Sequence, residues 1–219
     1  MATRARPSIE QRLTEHYVTL SNALNINDIA ELLSAYSYDL ARIRIGLALH
    51  EQALTAQARH RREFGEQQAA TAAFDSAWDN ADECYMRLVK LTRVALKHRP
   101  EAASILGLHG DRKRSLSGWF AQAQQFYDGL ATHPEITAKL TAYGITADKL
   151  AAARAEYSAL RAAYNAQARE HSAAQQATAA RDAAFDALDE WMSDFIAIAK
   201  IALEDEPQLL EKLGILAHS

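Results

Sequence analysis

One cysteine, four prolines and eight glycines in 219 residues leave this chain few ways to interrupt or cross-link its own backbone. Cys84 has no second thiol to pair with, so an internal disulfide is excluded, and a buried, inert thiol on a helix is the plain expectation. Long alternating runs of β-branched residues are missing, which excludes an extensive half-buried sheet. Basic excess is missing too: 24 Lys and Arg against 28 Asp and Glu give a net charge of −4, which opposes a polyphosphate-binding surface, because nucleic-acid affinity comes largely from basic groups that displace counterions. No apolar stretch follows the arginines of MATRARPSIEQR, so no secretory leader is expected there. Phe195 to Leu203 is the longest candidate span; it is too short for a bilayer and carries Lys200. The expectation is a cytoplasmic protein with neither nucleic acid nor membrane as partner.

Catalytic signatures are also lacking. The chain has no Gly-x-x-x-x-Gly-Lys-Ser/Thr phosphate loop, no Gly-x-Ser-x-Gly elbow, no His-Glu-x-x-His and no Cys-x-x-Cys. A dimetal helical bundle needs Glu-x-x-His pairs, which put a carboxylate and an imidazole on one helical face; no Asp or Glu here has His three places after it. No metal or other cofactor is therefore expected.

What is present is helix-forming composition, rich in Ala, Leu, Glu, Gln, Arg and Lys, and a self-match. Displacing the sequence by 107 residues lays Gln68–Leu108 over Gln175–Ile215 with 15 identities in 41 columns, where composition alone gives roughly three to five. Asp75/Asp182, Asp79/Asp186, Asp82/Asp189, Pro100/Pro207 and Gly107/Gly214 are among them, and Trp78/Phe185 is a conservative pair. Weaker matches, including Tyr36/Tyr143, extend upstream. The pattern predicts an internally duplicated all-α protein with repeats at 1–110 and 111–219. Its histidines do not follow the match: His50 faces Tyr157, His60 faces Gln167 and His98 faces Asp205.

Ser8-Ile9-Glu10-Gln11 reads as a capping box opening a helix with Leu13, Tyr17 and Leu20 on its apolar face. Asp28 is expected to cap a short helix bearing Ile29, Leu32, Leu33 and Tyr36, and a long helical stretch then runs from about Asp39 to His98. HGDRKRSLSG, 109–118, reads as a solvated linker, after which the order restarts and a second long stretch runs from about Thr146 to Leu203. Heptads from Leu150 never slip register. They favour two long antiparallel helices with short flanking helices, dumbbell-like and coiled-coil in character. The alternative is two tandem four-helix bundles, with Ser172-Ala173-Ala174-Gln175 as a capping box and a turn near Gly65.

Three features bear on function. Asp75, Asp79, Asp82 and Asp182, Asp186, Asp189 form stripes at i, i+4, i+7, flanking the face of Trp78, Ala81, Tyr85 and Leu88; they read as a border pairing with arginines such as Arg59, Arg61, Arg62 and Arg161, or as a cation surface. Tyr36 and Tyr143 read as packing residues. The long stretches end in opposite charge, Lys97-His98-Arg99 against Glu204-Asp205-Glu206, which supports head-to-tail self-association. At DRKRSLSGWFAQAQQFYDGL and LDEWMSDFIAIAKIALEDEPQLLEKLGI the chain resembles an uncharacterised group of bacterial all-helical proteins with this same duplication, a resemblance that implies fold and a bacterial origin and transfers no catalytic or ligand residue. The expected role is a non-enzymatic scaffold or protein-interaction module. The alternative is a small-ligand or cation binder, or an enzyme, with a pocket near Trp119, Tyr127, Tyr157 and Trp191.

Overall fold

The computed structural model describes residues 8–215; residues 1–7, most of the segment read for a leader, and 216–219 lie outside the described residues. Eight helices and no strand occur among the described residues: α1 Ile9–Asn25, α2 Asn27–Ser34, α3 Leu40–Ala95, α4 Pro100–Ile105, α5 Leu116–Thr132, α6 Pro134–Thr141, α7 Ala147–Ala202 and α8 Pro207–Lys212. Adding 107 to the bounds of α1 to α4 gives the bounds of α5 to α8. No described helix is long and apolar enough to cross a membrane.

Local chemistry accounts for most of these bounds. Ser8 caps α1 by accepting from the Gln11 N–H at 3.2 Å, and Ser115 caps α5 by accepting from the Gly118 N–H at the same distance. The reciprocal half of the expected capping box is not made, because the Gln11 amide donates to Glu15. Asp28 does not cap α2. The helix starts one residue earlier, with Ile26 as both the last cap of α1 and the first of α2. Pro100 and Pro207 open α4 and α8, where a missing N–H costs nothing.

α3 and α7 are each a single helix of 56 residues, so the turn required by the tandem-bundle alternative is not there. Gly65 costs about 1 kcal/mol relative to alanine inside a helix, too little to break a run flanked by Glu63, Glu66 and Gln67. Ser172, expected to start a helix, instead accepts a hydrogen bond from the Gln176 side chain at 3.3 Å from within α7.

The chain forms two compact units. Unit 1 joins the chain up to Gly65 with the chain from Ser172, and unit 2 is Glu66–His171. Each unit therefore draws on both sequence halves. In unit 1, Leu13 and Leu20 of α1, Ile29 and Leu33 of α2, Ile43 of α3, and Leu188, Met192 and Phe195 of α7 make one core. In unit 2, Tyr85 and Leu88 of α3, Trp119 and Phe126 of α5, Leu140 of α6 and Leu160 of α7 make the other. Within unit 1 the long segments are antiparallel: Gly46 faces Trp191, while His60, fourteen residues on from Gly46, meets Arg181, ten residues before Trp191. The heptad series is buried at Ala153, Tyr157 and Leu160 in unit 2 and at Phe185, Leu188, Met192 and Phe195 in unit 1, whereas Tyr164 and His171 are exposed. Tyr17 and Leu32, assigned to apolar faces, sit on the rim instead, because one apolar stripe is wider than the neighbour that covers it.

Gly46 has a specific reason to be glycine. A Cβ there would lie 2.5 Å from Cζ3 of Trp191 and 2.9 Å from Cδ2 of Leu20. The residues 107 places away are Ala153 and Cys84, a larger residue opposite a smaller one. Gly46→Ala is expected to lower stability by about 1–3 kcal/mol through overpacking. In urea denaturation, the double variant Gly46→Ala/Trp191→Cys should cost less than the sum of the singles, which is the signature of direct contact.

Candidate functional site

The acidic stripes fall in different units: Asp75, Asp79 and Asp82 in unit 2, Asp182, Asp186 and Asp189 in unit 1. Their third members are structural. Asp82 Oδ1 accepts from the indole N–H of Trp119 at 2.7 Å and pairs with Arg112, and Trp78 packs on the Trp119 ring at 5.0 Å. Asp189 pairs with Arg12, whose guanidinium lies over Phe185 at 5.7 Å. Trp119 and Arg12 are 107 residues apart, as are Trp78 and Phe185. One arrangement thus recurs with different chemistry, and in both units it fastens a 17-residue helix, α1 or α5, to a long one.

The expected arginines go elsewhere. Arg59 and Arg62 pair with Glu63, Arg61 pairs with Glu10, and Arg161 donates to Gln124. Asp182 pairs with its neighbour Arg181, while Asp75, Asp79 and Asp186 are exposed. The segment read as a solvated linker is tied to unit 2, because Arg112 holds Asp82 and the Lys113 N–H donates to Gln122 at 2.9 Å. Tyr36 and Tyr143 do not pack as expected and are 46% and 45% exposed.

The aromatic set considered for a ligand pocket does not assemble. Trp119, Tyr127 and Tyr157 are buried in the filled core of unit 2, ring against ring, and Trp191 belongs to unit 1. Burial pushes the Tyr127 phenol far above its ordinary range. Trp191 stacks on Phe195 at 5.3 Å, Tyr38 meets both rings edge-on, and the Arg42 guanidinium covers Tyr38 at 4.1 Å.

An open groove of about 440 Å³ lies in unit 2, with Cys84, Leu88, Leu91, Ile145 and Ala153 among its walls and Arg87 and Lys149 at its edge. Cys84 is half-buried, not buried as expected; desolvation, with Glu156 and Glu83 nearby, raises its thiol and keeps it weakly nucleophilic.

Both long helices end in the same turn. Arg99 (φ −133°, ψ 71°) precedes α4 and Glu206 (φ −127°, ψ 65°) precedes α8. Lys97, His98 and Arg99 are exposed in unit 2, as are Glu204, Asp205 and Glu206 in unit 1. Three residues before the first of each set, Val94 and Ile201, again 107 residues apart, are 63% and 50% exposed. No family model, curated protein or solved structure matches the chain.

Asp82→Ala is expected to lower stability by about 1–3 kcal/mol, since it strands the N–H of an indole that is 1% exposed. Asp79→Ala on the exposed side should stay within about 0.5 kcal/mol. Chemical denaturation of both variants measures the contrast. His16 supplies a pH dependence: burial holds its pKa below the ordinary value, more than Asp189 raises it. The unfolded chain then takes up the proton first, so stability is full above about pH 7 and falls as pH drops through 6.5 toward 5. His16→Gln should flatten that slope in melts between pH 7 and 5.

Proposed function

We propose that this protein is a non-enzymatic helical scaffold that joins to further copies of itself, the basic turn of one copy against the acidic turn of the next. The observation that carries the reading is the pair of turns at 96–99 and 203–206: one backbone geometry, opposite charge, and an exposed β-branched residue beside each. Helix electrostatics accounts for the basic turn, because cations are favoured after a helix C-terminus. It does not account for Glu204 and Asp205, which follow the C-terminus of α7, where negative charge is disfavoured. A complementary surface on another molecule does account for them. Two different patches meeting head to tail make a heterologous contact, which propagates into a ring or a chain of subunits.

A duplicated helical module underlies this reading, supported by the 15 identities in 41 columns and by helix bounds that repeat at 107 residues. In this account the two copies kept their turns and diverged in sign. The long helices act as coiled-coil-like struts, supported by the heptads from Leu150. The setting is a bacterial cytoplasm, supported by the single cysteine and the motif resemblance.

Light scattering tests it. At low salt the mass should rise above the 24.2 kDa of one chain as concentration increases, and should return toward it at about 0.5 M salt, where the Debye length is a few ångströms. Lys97→Glu/Arg99→Glu should stay monomeric with unchanged helicity, and adding Glu204→Lys/Glu206→Lys to that variant should restore assembly. A chain that stays monomeric at every salt concentration, or a charge-swapped variant that does not recover, overturns the proposal.

A further inference from the structure

At positions 107 residues apart the two units differ in where their aromatic rings stand. In unit 1 the indole of Trp191 lies against Gly46, between Phe195 and Tyr38. The corresponding residues of unit 2 are Cys84, Ala153, Leu88 and Ile145. Three rings are replaced by smaller side chains, and in that place unit 2 has its groove of about 440 Å³. The volume is within the range of small-molecule pockets.

The charge changes together with the shape. Unit 1 has Asp194 and Arg42 at the corresponding edge positions, one of each sign; unit 2 has Arg87 and Lys149, both positive. Lys149 Nζ donates one proton to the Gly144 carbonyl at 2.8 Å, which holds the ammonium at the groove and leaves two donors. Arg87 is exposed and forms no ion pair among the described residues. Glu83 and Glu156 act on Cys84 but are not part of the groove wall.

We infer that the unit 2 groove is a binding site for a small planar aromatic carboxylate, its ring between Cys84, Leu88, Ile145 and Ala153 and its carboxylate toward Arg87 and Lys149. The molecule itself supplies the ring precedent in the Trp191 indole, and the paired cations supply the head-group preference. This site is independent of the self-association proposed above and has separate readouts.

The probes are indole-3-acetate, its cationic relative tryptamine, and acetate, titrated calorimetrically into the full-length protein at a salt concentration that keeps it monomeric. Indole-3-acetate should bind one per chain with a Kd below about 1 mM, and tryptamine and acetate should not saturate. Arg87→Ala should weaken binding about tenfold, the loss of one charge-assisted contact. Cys84→Trp/Ala153→Gly transfers the unit 1 solution into unit 2 and should abolish binding with helicity intact. Cys84 is the only thiol in the chain, so indole-3-acetate should also slow its alkylation by a maleimide in the wild-type protein, a readout that needs no variant. The inference is overturned by an absence of saturable binding with unchanged alkylation, by equal binding of tryptamine, or by a well-folded Cys84→Trp/Ala153→Gly protein that still binds.

Discussion

The constraint on which the rest depends is the unbroken main-chain hydrogen-bond ladder of α3 and α7. Because neither helix turns back at Gly65 or Ser172, the first part of α3 meets the last part of α7, and never its own second part, within unit 1. The ladder thereby decides which side chains can form a core. Gly46 finds Trp191, and Cys84 shares a groove with Ala153, only because each unit takes one long segment from each half of the sequence. A helix-breaking residue at 65 would alter those partnerships before it altered any single contact energy.

On that frame, two sets of residues 107 positions apart solve the same packing task differently. A carboxylate at 82 or 189 fastens a helix through a buried indole N–H in one unit and through a guanidinium in the other. Both solutions leave the donor bonded and an aromatic ring covered, which keeps the cost of burying polar groups low. Where the solutions diverge without such balance, surface features are left over. One turn is basic and its counterpart acidic; one aromatic cluster is full and its counterpart is a groove edged by two cations. These leftovers distinguish the two units from one another.

Much of the architecture was legible in the sequence because helix ends are written locally. Ser8 caps, Pro207 starts a short helix, and the heptads from Leu150 run without a break as the helix does, whereas the Ser115 cap and the first turn of α5 lie inside the segment expected to be a linker. The flanking position of Asp82 was also legible, since a helical wheel places it beside the face of Tyr85 and Leu88. Its partners were not. A wheel fixes direction around one axis and is silent on what arrives from other elements, so Trp119 and Arg112 took the place expected for more distant arginines. Tyr36 and Tyr143 failed for a related reason: an apolar face can exceed the surface that covers it. The groove at Cys84 had a visible trace, the pairing of Cys84 with Trp191, which acquires meaning only once Gly46 and Ala153 are known to stand opposite them.

The composition of the two units has a consequence for synthesis on the ribosome. Unit 2 is one continuous stretch, Glu66–His171, and its core can close as soon as that stretch has emerged. Unit 1 needs both ends of the chain. Leu13, Leu20, Ile29 and Ile43 are made before unit 2, but their partners Leu188, Met192 and Phe195 are made only after it. While unit 2 is being made, that early apolar surface waits for its partners, and its closure spans well over a hundred residues, a slow event by loop entropy. Order of synthesis and order of core closure therefore differ between the two units.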